Sequence, residues 1–253
     1  MGYSHERIKS NAKLFYKNNT GSSILSVLIF LGVTFGAIMA LYFVMFVFGL
    51  IFGVSAGVAG SSNSDGAAVA AAAGGVLFSL LVMAAYIAVI LGIYPLSIGL
   101  MGWYRKSIYE KTSLAEIFSP YKKEHLWSNI GTMFLMQIYT FLWSLLFLIP
   151  GIIKSYSYSQ TAFIKSENPN ISASRAIELS KIMMEGHKGE LFYLHLSFIG
   201  WMLLSSLTYN ILGVVYVYPY FYGALAFAYE EIKADAIARG IIDPTELSGP
   251  VVM

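Results

Sequence analysis

The chain contains no cysteine, and this absence excludes disulfide bonds, thiolate catalysis and any metal site built on cysteine ligands. Charged residues are also scarce. Asp, Glu, Lys and Arg make up only 12% of the 253 residues, whereas an ordinary soluble domain has about 25%. Hydrophobic residues make up 57%. This balance is typical of a protein that is largely surrounded by lipid.

The sequence also lacks the usual signatures of catalysis. It has no P-loop, no G-x-S-x-G segment, no glycine-rich dinucleotide fingerprint and no pair of carboxylates within an apolar run. His187 and His195 have no histidine four residues away and no H-E-x-x-H context, so we expect no metal site. We therefore expect no catalytic residue, no cofactor and no nucleic-acid partner.

Two long apolar runs are present instead. Residues 24–54 and 76–101 contain no charged side chain. A helix crosses the hydrocarbon core of a bilayer with roughly 20 apolar residues, and both runs are longer than that. The first run also exceeds the apolar region of a signal peptide, which is about 7–15 residues, so we expect it to be an uncleaved span. These runs predict an all-α, polytopic membrane protein.

The basic residues predict its topology. All but Lys154 fall into four clusters, and the connector between the two apolar runs has no basic residue. Short cytoplasmic loops collect Lys and Arg, so all four clusters are expected on the cytoplasmic side. This requires an even number of crossings between clusters. The sequence therefore predicts six transmembrane helices in three hairpins, with both chain ends inside. The clusters are Arg7–Lys17, Arg105–Lys123, Lys165–Lys188 and Lys233–Arg239.

We expect a single membrane domain over residues 1–253, divided by this topology. Its predicted segments are a basic N-terminal segment 1–23, a first hairpin of 24–54 and 74–101, a cytoplasmic elbow 102–125, a second hairpin 126–165, a cytoplasmic amphipathic helix 166–190, a third hairpin 191–230 and a cytoplasmic tail 231–253. The alanine-rich stretch at 68–75 is either a helix start or a mobile outer loop.

Proline marks the second arm of each predicted hairpin. Pro95, Pro150 and Pro219 each follow an apolar pair, which suggests three related helical hairpins. Proline fits the first turn of a helix, so Pro150-Gly151 is expected to be the turn of the second hairpin. The third turn is expected near Asn210 and Gly213. Small residues at Gly99, Gly102 and Gly223 would let helices approach closely.

Two cytoplasmic segments carry helix signals. Residues 168–190 have a capping serine at Ser172 or Ser174 and a charged stripe of Glu178, Lys181, Glu185 and Lys188. The apolar side of this helix either contacts lipid or the neighbouring bundle, or uses Met183 and Met184 as a target-binding groove.

The other helix signals lie before the second hairpin and after the third. Ser113 and Glu116 fit a capping box, so a short helix is expected there. Gly240 is a plausible C-cap for the last helix. The tail beyond it, with Pro244 and Pro250, is expected to be loosely ordered.

One polar face within the second hairpin is the candidate functional site. It consists of Lys154, Ser157, Gln160 and Thr161. Lys154 can extend to water near the outer surface, and the face can either line a wet groove or bond a neighbouring helix. His195 is a further polar candidate, about one turn inside the span that begins at Leu191.

Residues 141–201 carry a resemblance to a known family. The IPGI turn at 149–152, the A-I-x-x-S-K-x-M-M-x-G-x-K segment at 176–188 and LFYLHLSFIGW at 191–201 carry it. The block resembles bacterial integral membrane proteins catalogued as a domain of unknown function, family 975. It is distantly similar to the membrane region of glycerophosphodiester phosphodiesterases. The resemblance implies a six-span bundle in the bacterial plasma membrane, and it brings no established activity.

These features favour a non-enzymatic membrane module that binds a peptide, protein or lipid partner. Anionic lipid is expected at the cytoplasmic face, because Lys9, Lys13 and Lys17 lie next to the first span. A small transporter or channel for ions or amphipathic molecules is the alternative, since Pro-broken helices often line transport sites. A lipid-modifying enzyme is a second alternative, and it rests only on the phosphodiesterase likeness.

The predicted topology can be tested with single cysteines, because the chain has none of its own. We expect Arg175→Cys and Arg239→Cys to resist a membrane-impermeant maleimide in intact cells and to react after permeabilisation. Ser62→Cys, in the connector without basic residues, is the control and is expected to react from outside. Labelling of either arginine position from outside would contradict the six-span topology.

Overall fold

The computed structural model describes residues 3–60 and 65–247, and these residues form helices and no β-strand. This confirms the all-α class. The α-helices are α1 His5–Asn18, α2 Thr20–Gly60, α3 Asp65–Ser107, α4 Leu126–Leu146, α5 Leu148–Ser157, α6 Thr161–Glu167, α7 Ala173–Met183, α8 Lys188–Leu207 and α9 Tyr218–Ala238. Two 3₁₀ helices, Leu114–Tyr121 and Pro244–Glu246, and a π-helix, Gly213–Val217, complete the described elements.

Four helical stretches are long and apolar enough to cross a membrane. They are Thr20–Leu50, Ala72–Ser107, Leu126–Leu146 and Lys188–Leu207. The whole of α2 has 41 residues and α3 has 43, so each is about 60 Å long at 1.5 Å per residue, twice the thickness of a hydrocarbon core. The alanine-rich stretch belongs to the first turns of α3, so it is helical.

The chain divides into two compact units. The smaller unit, Leu31–Ile93, comes from α2 and α3, and the rings of Phe48 and Phe78 stack within it at 6.2 Å. It contains an apolar cavity of about 440 Å³ with Tyr42 and Met83 in its wall. The larger unit, residues 1–30 and 94–253, contains the main hydrophobic core.

Within the larger unit, α9 is the central helix and α1 packs along it. Ile8, Ala12 and Phe15 of α1 are buried, and Phe15 and Ala12 lie opposite Gly223 of α9. The Arg7 guanidinium pairs with Glu231 at 2.7 Å, and the Ser4 amide donates to the same carboxylate. The basic N-terminal segment is therefore part of the core, although the sequence predicted only a cytoplasmic anchor.

The second hairpin turns at Phe147, three residues before the expected turn. α4 ends at Leu146, Phe147 is extended and α5 begins at Leu148. Pro150 and Gly151 thus lie in the first turn of α5, where the missing N–H of proline leaves no bond unmade. A Cβ on Gly151 would lie 2.2 Å from the Ser144 hydroxyl oxygen, so the two helices touch there. The returning arm is not one helix but two, α5 and α6, separated by residues 158–160.

The third hairpin turns where the sequence predicted. Tyr209 and Asn210 have positive φ angles of 49° and 62° between α8 and the returning helix. That helix begins with the π-helix, has Pro219 in the first turn of α9 and continues to Ala238. Gly240 then takes a φ of 66°, and the Ile241 and Gly240 amides donate to Ala236 and Ile237, as in a Schellman cap. The predicted C-cap is confirmed.

The amphipathic helix is shorter than expected and faces the protein. Only Ala173–Met183 is helical, Ser172 is its N-cap, and Gly186, with a φ of 90°, separates it from α8. Met183 and Met184 are fully buried in the core. Of the two alternatives, the structure therefore supports contact of the apolar side with the bundle and does not support a methionine groove.

Residues 241–247 are packed against the same core, so the expectation of a loose tail is wrong for them. Ile242 and Leu247 are buried, and Glu246 accepts two hydrogen bonds from Arg175. Hydrogen bonds to the carboxylates of Glu246 and Glu178 raise the pKa of the Arg175 guanidinium, because both carboxylates stabilise its charge. Pro250 lies outside the described residues.

The predicted close approach at two glycines is confirmed. A Cβ on Gly99 would lie 1.8 Å from the Ile117 carbonyl oxygen of the first 3₁₀ helix, and one on Gly102 would lie 2.8 Å from the Ser166 Cβ. Ser113 caps this 3₁₀ helix, while Glu116 bonds Lys106 instead of completing a capping box. Backbone contact at Gly99 therefore fixes the 3₁₀ helix against α3.

We expect Gly99→Ala to destabilise the protein by about 1–3 kcal/mol, because the new methyl group displaces the backbone of the 3₁₀ helix. Thermal unfolding in a mild detergent measures the change.

Gly131→Ala in α4 is the matched control, since nothing lies within 4 Å of the position where its Cβ would be. Alanine is the better helix former, so this variant is expected to be as stable as the wild type or slightly more stable. Equal melting temperatures for Gly99→Ala and the wild type would contradict the close contact.

Candidate functional site

A buried ionic network joins the ends of α3, α6 and α9. The Glu167 carboxylate accepts hydrogen bonds from the Tyr229 hydroxyl at 2.5 Å and from Lys233 at 3.0 Å, and Arg105 lies 3.5 Å away. Glu230 pairs with Lys233 at 2.8 Å. All five side chains are buried. Two cations thus face two carboxylates, and the network is electrically balanced.

Tyr109 extends this network at its edge, in the turn after α3. Partial burial and the adjacent negative charge of Glu230 raise the pKa of the Tyr109 phenol, because both disfavour its anion. Tyr109 therefore stays protonated and able to donate a hydrogen bond. Removing one partner of a buried ion pair of this kind strongly destabilises a protein. We therefore interpret the network as a structural contact between helices.

The sequence placed these charges on the cytoplasmic surface and did not predict that they are buried together. Arg105 and Glu167 are 62 residues apart, and Glu167 and Lys233 are 66 apart. Only the i,i+3 spacing of Glu230 and Lys233 was visible as a local pattern.

A polar cavity of about 190 Å³ lies beside the network, between α3, the first 3₁₀ helix, α4 and α6. Four of its lining residues are basic or ionisable to a cation, and one is acidic. Ser119, Ser166 and Asn129 add neutral polar groups. We call this space the basic cavity. Its charged and ionisable lining residues are Lys106, Lys122, His125, Lys165 and Glu116.

Lys165 is the most buried of these cations, with a relative exposure of 1%. Its Nζ donates to the Ser128 hydroxyl at 2.8 Å and to the carbonyls of Pro169 at 2.8 Å and Ile171 at 2.6 Å. Among the residues that the structure describes, no carboxylate lies within 4.0 Å of this nitrogen. Neutral dipoles alone therefore offset its charge, which is a costly arrangement for a buried ammonium.

Asn129 also lines the basic cavity and has a relative exposure of 1%. Its amide nitrogen donates to the Pro120 carbonyl at 2.9 Å. Its Oδ1 has no hydrogen-bond partner among the described residues. A buried acceptor left unpaired costs about 1–3 kcal/mol, so this oxygen favours a ligand or solvent donor in the cavity.

The predicted polar face is divided in the structure. Ser157 and Gln160 meet α7, where the Ser180 hydroxyl donates to the Ser157 carbonyl and accepts from the Gln160 amide. Thr161 is fully buried beside them. Lys154 lies apart, with its Nζ 4.5 Å above the Trp143 ring. The contacts with α7 fit the expectation of bonding to a neighbouring helix, and none of these residues lines the basic cavity.

His195 lies in an aromatic environment. Its Nδ1 is 2.8 Å from the Leu191 carbonyl, and its ring makes edge contacts with Tyr156 and Phe221. These contacts orient the ring within the helix packing. His187, by contrast, lies between the carboxylates of Glu190 at 2.5 Å and Asp235 at 2.9 Å, which links the start of α8 to α9.

The helical fold and its four apolar stretches define a multi-pass helical membrane protein. Residues 145–236 match the model of the family described as "Protein of unknown function (DUF975)". The match confirms the resemblance over this segment, which runs from the end of α4 into α9. No curated protein and no solved structure matches the chain, and the likeness to glycerophosphodiester phosphodiesterases stays a prediction.

We expect Lys233→Met to destabilise the protein by about 3–5 kcal/mol, because it leaves the buried carboxylates of Glu167 and Glu230 without their ammonium partner. Chemical or thermal unfolding in detergent measures the loss.

Lys181→Met on the exposed side of α7 is the matched control, with an expected change within about 0.5 kcal/mol. If the two methionine variants unfold alike, the network does not stabilise the bundle.

Proposed function

We propose that the chain is a non-enzymatic, multi-pass module of the bacterial plasma membrane that binds a lipid, with the headgroup in the basic cavity. The observation that carries this proposal is the buried ammonium of Lys165 without a carboxylate partner, in a cavity that also holds the unpaired Asn129 oxygen. A negatively charged ligand stabilises the ammonium, and a hydroxyl on the same ligand donates to the Asn129 oxygen.

The family-matched segment supplies part of this cavity. Lys165, Ser166 and Pro169 line it and lie within residues 145–236. The remaining wall comes from α3, the 3₁₀ helix and α4, outside the matched segment. The proposed lipid site therefore combines the matched segment with the elements that precede it.

We further propose that the chain crosses the membrane six times, with both ends on the cytoplasmic side. The ionic network supports this, because the ends of α3, α6 and α9 can meet only if they lie on one side of the bilayer. The pair between Arg7 and Glu231 adds the N-terminus to the same side. In this topology α5 with α6, and the π-helix with α9, are the two return arms, and the basic cavity faces the cytoplasm.

A lipid partner also fits the surface of the proposed spans. Large apolar side chains are exposed along α2, α4 and α8, among them Phe43, Phe141 and Leu203. Exposed apolar area on this scale is stable only in contact with lipid or another apolar surface. The acyl chains of a bound lipid can thus pack beside the helices while its headgroup lies in the basic cavity.

The other hypotheses remain predictions. A peptide or protein partner would use the same cavity or the exposed stripe of α7. A transporter would need a wet path, and Lys154 lies on the Trp143 ring and lines neither of the cavities described above. A lipid-modifying enzyme depends on the phosphodiesterase likeness alone.

We expect the protein, purified in a mild detergent, to retain lipid that native mass spectrometry detects. Ser119→Phe places a ring in the basic cavity without changing its charge, so we expect it to lower the retained lipid at least about fivefold, a loss of about 1 kcal/mol in binding free energy.

Ser174→Phe, at an exposed position on α7, is the matched control and is expected to retain lipid as the wild type does. Equal lipid retention by the two phenylalanine variants would overturn the proposed site.

A further inference from the structure

The charges around the basic cavity do not balance. Lys106 is paired with Glu116 at 3.2 Å, so the charge of Glu116, the only acidic residue that lines the cavity, is already compensated. Lys122 and Lys165 remain without a carboxylate within ion-pair distance among the described residues. The cavity therefore holds an excess of about two positive charges from lysine.

The neighbouring ionic network has no such imbalance of charge. There, Arg105 and Lys233 are matched by Glu167 and Glu230, and every charge has a partner of the opposite sign. Of the buried lysines Lys165 and Lys233, Lys165 of the cavity is the one without a carboxylate partner. A buried charge of this kind is stabilised by an anion that enters from outside the chain.

The donors suit a phosphate oxyanion. No arginine is among the lining residues, so the cationic donors are mainly lysine ammonium groups. Lysine ammonium groups are point charges that bind phosphate oxygens from several directions, and the hydroxyls of Ser119 and Ser166 add neutral donors. The unpaired Oδ1 of Asn129 accepts a hydrogen bond, which a hydroxyl on the ligand supplies.

We propose that the basic cavity binds a phosphate oxyanion that accepts hydrogen bonds from Lys122 and His125, while Asn129 accepts a hydrogen bond from a ligand hydroxyl. Lys165 attracts the oxyanion through its charge alone, because its three N–H groups already donate to Ser128, Pro169 and Ile171. The inference rests on the proposed function in taking the phosphate of a lipid headgroup as the source. Free inorganic phosphate shares the same chemistry. Lys122 is exposed at the edge of the cavity, so its ammonium can move toward a bound phosphate.

The test compares four probes on the full chain in a maltoside detergent, which carries no phosphate. The probes are short-chain phosphatidic acid, short-chain phosphatidylglycerol, short-chain diacylglycerol and inorganic phosphate, and native mass spectrometry reports the bound mass. We expect both anionic phospholipids to bind and diacylglycerol, which lacks phosphate, not to bind. Inorganic phosphate is expected to compete with them.

Lys122→Gln removes one unpaired charge at an exposed position, so folding is not at risk. We expect it to weaken phosphatidic acid binding about tenfold, as for the loss of one hydrogen bond to a charged group. Lys122→Arg keeps the charge and is expected to restore binding. Lys123→Gln, one residue along and outside the cavity, is the matched control and is expected to bind as the wild type does.

The outcomes separate the two proposals. Equal binding of diacylglycerol and phosphatidic acid, with no difference between Lys122→Gln and Lys123→Gln, overturns the phosphate site. If lipid retention then still responds to Ser119→Phe, the lipid-binding function stands with a different headgroup chemistry. Binding of inorganic phosphate without either phospholipid supports the oxyanion site and overturns the lipid as its source.

Discussion

The packing of the ends of α3, α6 and α9 depends on the contacts of the Glu167 carboxylate. It joins Arg105 from α3, Tyr229 and Lys233 from α9 and its own helix α6, in a place from which water is excluded. A buried charge requires its partners, so these helix ends are held together. The packing of three helix ends is thus the consequence of a single electrostatic requirement.

Two regions of charge lie next to each other with opposite properties. The network around Glu167 is neutral within itself and fixes the helices, whereas the cavity beside it keeps unmatched ammonium groups. The network also fixes the position of the cavity wall, because Glu167 of the network and Lys165 of the cavity are on the same short helix. Gly99 and Gly102 allow the 3₁₀ helix and α6, respectively, to pack closely against α3.

The sequence predicted what depends on local pattern. Apolar runs predicted the helical class. Glycine positions predicted the C-cap at Gly240 and the close contacts at Gly99 and Gly102, and the turn near Asn210 was also predicted. The sequence missed the position of the second turn by three residues, because Pro150 was read as the turn itself rather than as the start of α5. The cavity and the network were not predictable, since their residues come from segments about 40–70 positions apart and meet only through tertiary packing.

The contact between the N-terminal helix and α9 has a consequence for biogenesis. Ser4 and Arg7 bind Glu231, more than 220 positions away, so α1 is synthesised long before its partner helix α9. Until α9 is made, the buried side of α1 does not have this protein surface to cover it. Long-range pairing of this kind is slow to form and leaves early segments exposed. Docking of α1 therefore waits for α9, and a nascent chain arrested before α9 presents an uncovered α1 to proteases.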